Sequence, residues 1–137
     1  MATAHPVTRA RGVLAGAAYE TKITAGRHAL SSDEPQGAGG ADAGPAPFAL
    51  VLSGLIACTA ITLRMYAERK GLTLRSVTVD AAYHHEGEDS HVDRVITLDG
   101  DLDDAVRARM GEIADRTPVT LALKAGMNIK TRIAAPA

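Results

Sequence analysis

"PFALVLSGLIACTAITLRMYAERKG", residues 47 to 71, is the stretch that decides the fold. Proline suits the first turn of a helix and glycine suits a left-handed cap, so the spacing predicts one helix over 47–70 closed by Gly71. Positions 48 to 63 are apolar or small around the whole circumference, whereas "RMYAERK" is charged. A helix of that kind must be enclosed on most sides along its first part, and it forms the centre of the fold. Ser53, Gly54, Ala57, Cys58 and Ala60 cluster on adjoining turns, where small side chains let another helix backbone come close. No second helix this apolar is evident in the chain, which points to a second copy of the same helix as its neighbour. The uncharged run of residues 45 to 63 contains Ser53, Gly54, Thr59 and Thr62. It does not exceed the usual span of about 20 residues and leads straight into charge, so it reads as a buried helix of a soluble protein and not as a membrane span.

Outward from this helix, the chain of 137 residues fits one domain and can bury a core without disulfides or structural metals. Fifteen basic residues stand against sixteen acidic ones, so no global field draws the protein to nucleic acid or to an anionic membrane. A single cysteine cannot form an internal disulfide, which favours a reducing, cytoplasmic setting. "GVLAGAA" follows two arginines near the N-terminus, but the run is short and weakly apolar for a signal peptide and reads as the beginning of a strand.

Residues 13 to 24 are small or β-compatible, and the glycine of "TAGRH" marks a hairpin turn before residues 27 to 31, giving two N-terminal strands. Residues 33 to 47, "DEPQGAGGADAGPAP", form a glycine- and proline-rich loop. No Gly-Lys-Ser/Thr closes that loop, so nucleotide binding is not expected. After Gly71, Val77, Val79, Ala81 and Tyr83 alternate with polar or small residues. "HVDRVITLDG" continues the pattern with Arg94 interrupting it, and a hairpin through "HEGEDS" joins the two runs. Leu102, Val106, Met110 and Ile113 then mark a helix ending near Arg116. "TPVTLALKAG" is a short helix with Thr117 as N-cap and Gly126 as terminator, and "MNIKTRI" alternates as a closing strand. The expected class is α+β, with mostly antiparallel strands around one long apolar helix.

The residues that could carry chemistry are few. Cys58 is the only thiol, and a cysteine in an apolar helix is most often a small buried hydrophobe. A reactive thiol needs a cation to hold the thiolate, and Arg64 lies on another face of the helix. His84, His85 and His91 resemble a metal cluster, but adjacent strand residues point to opposite faces, so the reading is solvated histidines at a hairpin tip with no metal site. Asp103 and Asp104 belong to a helix start.

"RHALSSDEP", "GGADAGPAPFALVLSGLIACTAITLRMYAERKG", "VDRVITLDGDLDDAVRARMGEIADRTPV" and "NIKTRI" occur in an order that resembles the OsmC/Ohr family, specifically its YhfA-like branch. The likeness covers about residues 19 to 133. It implies a single OsmC-like domain over 1–137 and an intertwined homodimer with two cysteine helices at its centre. It also implies reduction of organic hydroperoxides, in which a first cysteine becomes a sulfenic acid and a second resolves it as a disulfide. On that resemblance Cys58 matches the first cysteine, and Arg27 is similar in placement to the arginine that holds it as thiolate.

Two departures follow from the same comparison. Thr117 stands where the resolving cysteine would be, so a two-cysteine cycle cannot run within this chain. Phe48 and Ala49 stand near the helix start, where the family carries an acidic residue; Asp33 or Glu34 from the loop are candidate substitutes. The expected protein is a thiol protein of oxidative-stress defence with weak or lost one-cysteine peroxidase activity, drawing on an external thiol or dithiol and needing no cofactor. Two alternatives stand beside it: a non-enzymatic dimer binding a hydrophobic small molecule between its subunits, and an oxidant sensor acting through Cys58.

Overall fold

In a computed structural model, residues 6–16 and 18–136 are described. The elements are β1 (Ala10–Val13), β2 (Thr21–Ala25), β3 (His28–Ser32), α1 (Pro47–Arg69), β4 (Thr73–Glu86), β5 (Asp89–Asp101), α2 (Asp104–Ala114) and α3 (Pro118–Ala125). This is an α+β fold with two antiparallel sheets, β1-β2-β3 and β4-β5, and one long helix. The chain divides into two compact units, Met1–Ser53 and Gly54–Ala137, with the boundary inside α1.

In the first unit the run over 13–24, expected as one strand, is split into the end of β1 and the start of β2, making three strands where two were expected. Gly16 and the positive φ of Ala18 (58°) mark the break, and the Ala/Gly stretch has no bulky side chains to sustain a pleat. The β2-β3 hairpin turns at Gly26 (φ 60°), as its glycine requires.

The loop from 33 to 46 is built around Asp33, which is 3% exposed. Its Oδ1 accepts the Glu34 amide (2.7 Å), and its Oδ2 accepts the amides of Ala41 and Ala43 (3.1 Å each). The Ser32 hydroxyl donates to the Pro45 carbonyl at 2.8 Å. A side chain on Gly40 or Gly44 would collide with the backbone of Glu34 or Ser31, so these glycines serve close packing of the loop on itself.

In the second unit, α1 ends in a Schellman arrangement. The Gly71 amide donates to the Glu68 carbonyl and the Leu72 amide to that of Ala67, with Gly71 at φ 64°. The core gathers Leu63, Ala67, Leu74 and Met110, with Val77, Ile96 and Leu98 packed against it. β4 follows the expected alternation, its residues 77, 79, 81 and 83 half-buried and its even-numbered neighbours exposed. Gly87 (φ 58°) opens a two-residue turn between Glu86 and Asp89, and a bulge lies between Leu74 and Ser76. Asp103 caps α2, accepting the Val106 amide at 2.8 Å, and Thr117 caps α3.

The closing strand expected at "MNIKTRI" is absent from the chain: residues 127–136 form no helix or strand. Alternation sets the two faces of a strand but supplies no partner for its backbone, and Met127, Ile129 and Ile133 are 69%, 83% and 92% exposed. α1 is likewise covered along a single stripe, Leu55, Thr59, Leu63 and Ala67, while Phe48, Val51, Ile61 and Met65 are exposed. By length and composition alone it could cross a membrane.

Candidate functional site

Cys58 lies near the middle of α1 and is half-buried. Its neighbour Thr59 is fully buried, and its hydroxyl donates to the Leu55 carbonyl one turn back at 2.7 Å. The Thr59 oxygen also accepts from Arg94 Nη1 at 3.0 Å. The same nitrogen donates to Thr120 Oγ1 at 3.0 Å, and Nη2 donates to the Ala114 carbonyl at 2.9 Å. Among the described residues the carboxylate paired with this guanidinium is that of Asp115, 3.4 Å away and mostly exposed, while the Arg94 side chain is 12% exposed. A nearly buried cation is thus held chiefly by neutral oxygens from three helices.

Thr117 belongs to this cluster. It is 1% exposed, its Oγ1 lies 2.6 Å from Thr120 Oγ1, and it accepts the Thr120 amide at 3.3 Å. One assignment of protons satisfies the set: Thr117 donates to Thr120, Thr120 donates to the Ala114 carbonyl (3.2 Å), and Thr120 accepts from Arg94. The position expected from the resemblance to hold a resolving cysteine is therefore a helix cap inside a closed hydrogen-bond network. Through Thr120 and Arg94 the network reaches Thr59, the residue next to Cys58.

Arg27 is exposed in the β2-β3 turn and belongs to the first unit, Cys58 to the second. Phe48 is 54% exposed, and Ala49 offers only its carbonyl, which accepts the Ser53 hydroxyl at 2.7 Å. The first turn of α1 carries no acidic residue. Asp33 is engaged by its own loop. The Ala43 amide foremost, then those of Glu34 and Ala41, hold its carboxyl below the ordinary value against the opposing effect of burial. Arg64 donates to the carbonyls of Leu74 (2.6 Å) and Arg75 (3.3 Å), so its guanidinium is committed to tying α1 to β4.

Arg94 was legible only as an irregularity in β5. The signal was its register: it shares the inward parity of Ile96 and Leu98, and a cation at such a position calls for buried acceptors.

A half-buried lone thiol on an apolar helix, joined to two antiparallel sheets and two short capped helices, defines the class of OsmC-like folds. The OsmC-like protein family matches residues 39–132, and the chain belongs to that family. Among solved structures, an OsmC-like protein from Mycoplasma pneumoniae is similar at 16% identity and a TM-score of 0.75, covering 87% of this chain and 88% of that one. An organic hydroperoxide resistance protein from Elizabethkingia anophelis, with thiocyanate bound, is similar at 15% identity and a TM-score of 0.64, covering 90% and 91%. One from Legionella pneumophila is similar at 20% identity and a TM-score of 0.58, covering 89% and 92%. No curated protein matches the chain in sequence.

Proposed function

We propose that the protein is a cytoplasmic, homodimeric thiol protein that reacts with organic hydroperoxides at Cys58 and is returned to the thiol by an external thiol. The observation that carries this reading is a thiol both half-buried and set on an apolar helix whose outer face is uncovered in the single chain. An apolar peroxide partitions to such a surface, and a second copy of α1 together with residues 127–133 would enclose it. The exposed alternation of Met127, Ile129 and Ile133 suits a strand that finds its partner in the second subunit.

In the proposed reaction the Cys58 thiolate attacks the terminal peroxide oxygen. An S–O bond forms, the O–O bond breaks, and the alkoxide leaves as an alcohol after taking a proton from solvent. A first external thiol displaces hydroxide from the sulfenic acid, which leaves as water. A second thiol cleaves the resulting mixed disulfide, so two thiols become one disulfide as the peroxide is reduced. Arg27 is assigned to thiolate stabilisation on the family resemblance. Turnover is slow because Thr117 supplies no resolving sulfur and no carboxylate at the start of α1 fixes the arginine.

The test is intact-mass analysis after cumene hydroperoxide with a sulfenic-acid trap, paired with peroxide consumption by wild type and Cys58→Ser in the presence of a thiol. A trapped adduct and slow consumption, both lost in Cys58→Ser, are expected. An alkylation midpoint for Cys58 at or above about pH 8.5 together with no adduct would return it to an ordinary thiol. That outcome would favour the second reading, a hydrophobic small molecule held in the dimer without chemistry, which the exposed Phe48 at the helix start supports. Adduct formation without turnover would instead mark an oxidant sensor.

A further inference from the structure

We infer a binding site for a borderline divalent transition-metal ion, of the zinc type, on the outward face of the β4-β5 hairpin, formed by His84, His91 and Asp93. Adjacent histidines on a strand diverge, and the register keeps to that rule: His85 stacks with Tyr83 and bonds Ser90 (2.6 Å). What the register adds is a cross-strand pair. His84 lies opposite His91, and Asp93 is two residues beyond His91 on the same strand, so all three side chains leave the sheet on one face.

The geometry has three parts that point to a cation. First, Nε2 of His84 and Nε2 of His91 lie 3.3 and 3.7 Å from the same oxygen, Oδ2 of Asp93. Metal–ligand bonds of about 2.0 to 2.1 Å in a tetrahedron put neighbouring ligand atoms about 3.3 Å apart, so these separations need only a small closure. Second, one ligand atom from each residue lies within 4.8 Å of the other two, a spread that rotation of the exposed side chains must close by up to about 1.5 Å to reach the tetrahedral separation. Third, the far nitrogen of His91, Nδ1, lies 3.2 Å from Asp89 Oδ2. A carboxylate on the second nitrogen is the arrangement that fixes a ligating histidine's tautomer, leaving Nε2 unprotonated toward the ion.

Two imidazoles and one carboxylate suit zinc, nickel or copper better than calcium or magnesium, which prefer oxygen. The three residues are exposed, so water completes the coordination and the affinity is that of an open surface site. The site requires no chemistry at Cys58, and it stands or falls independently of the peroxidase reading.

The experiment titrates zinc alone into the full-length protein against a chromophoric chelator, for wild type, Cys58→Ser, His84→Ala, His91→Ala, His85→Ala and Asp89→Asn. One zinc per chain is expected in wild type, Cys58→Ser and His85→Ala. The loss of either His84 or His91 should weaken it at least tenfold, and Asp89→Asn about tenfold. In parallel, the ring signals of His84 and His91 should shift with zinc in NMR spectra while those of His85 stay put. Failure of wild type to take up zinc at micromolar free concentration overturns the site. So does full affinity in both His84→Ala and His91→Ala, loss of zinc in Cys58→Ser, or a shift confined to other histidines.

Discussion

Replacing Arg94 by methionine should unfasten the centre of the second unit. Arg94 makes three hydrogen bonds of 2.9 to 3.0 Å to oxygens of Thr59, Thr120 and Ala114. Bonds from a charged donor contribute roughly 1.5 to 3 kcal/mol each, so the set amounts to about 5 to 9 kcal/mol. Against this stands the cost of taking a guanidinium out of water, several kcal/mol for a side chain this enclosed. Methionine removes that cost but takes a donor from two buried threonines, although Thr59 keeps its bond to the Leu55 carbonyl and Thr120 keeps those to Thr117 and the Ala114 carbonyl. The expected net loss is about 2 to 3 kcal/mol, or roughly 10 °C in Tm. Arg94→Lys should recover less than half, because one ammonium cannot serve both threonines and the Ala114 carbonyl from the arginine fork's position. The assay is urea denaturation at fixed protein concentration for wild type, Arg94→Met, Thr59→Val and the double variant. The cycle should return a coupling of about 1 kcal/mol between the two residues. Stability of Arg94→Met within about 0.5 kcal/mol of wild type, or zero coupling, would refute the reasoning.

Gly54 is exposed, and a Cβ there meets nothing within 4 Å in the single chain. Gly54→Ala should therefore stabilise an isolated chain by about 0.5 to 1 kcal/mol, whereas close packing against a second α1 reverses the sign and Gly54→Leu drives the protein to monomer in sedimentation. A monomeric wild type at micromolar concentration would count against the dimer. For Thr117, serine should be nearly silent and alanine should cost about 1 to 2 kcal/mol in denaturation, since the cap and the bond to Thr120 are lost together. Thr117→Cys should raise peroxide turnover with a dithiol, and mass spectrometry should find a disulfide to Cys58; failure to form it would show that position 117 does not match the family's resolving position. The Asp33 carboxyl is held below its ordinary value of 3.8, so the stability it lends is present above that value and is lost as pH falls through the folded pKa. Limited proteolysis between residues 33 and 46 should accelerate below about pH 4 in wild type, and Asp33→Asn should be cleaved readily at neutral pH; an equally protected Asn variant would show that the carboxylate does not hold the loop.

The elements that local chemistry specifies were the legible ones. Pro47 and Gly71 bounded α1 to within a residue, Thr117, Pro118 and Gly126 bounded α3, and the β4-β5 hairpin turns at Gly87 inside the expected "HEGEDS". Each of these depends on backbone geometry that one residue type imposes on its own neighbours. What local chemistry left open depends on pairing between segments. The strand expected at 127–133 needs a neighbour to pair with. The Ala/Gly run before β2 follows no strong local preference and was resolved by pairing. The His84–His91 juxtaposition exists only once the hairpin register is known.

The same distinction separates the fold of the candidate site from its activity. α1 presents Cys58 in any protein that buries the stripe from Leu55 to Ala67, so packing alone preserves the thiol's position. Thiolate formation and resolution ask for more: a fixed cation and a second sulfur. At position 117 the chain has a threonine whose two hydrogen bonds make it a sound cap, and nothing in that environment strains to accommodate it. The network through Thr120 and Arg94 is complete with oxygen, so a cysteine introduced there would trade part of that stability for chemistry. Peroxide turnover and resistance to unfolding should accordingly move in opposite directions between wild type and Thr117→Cys.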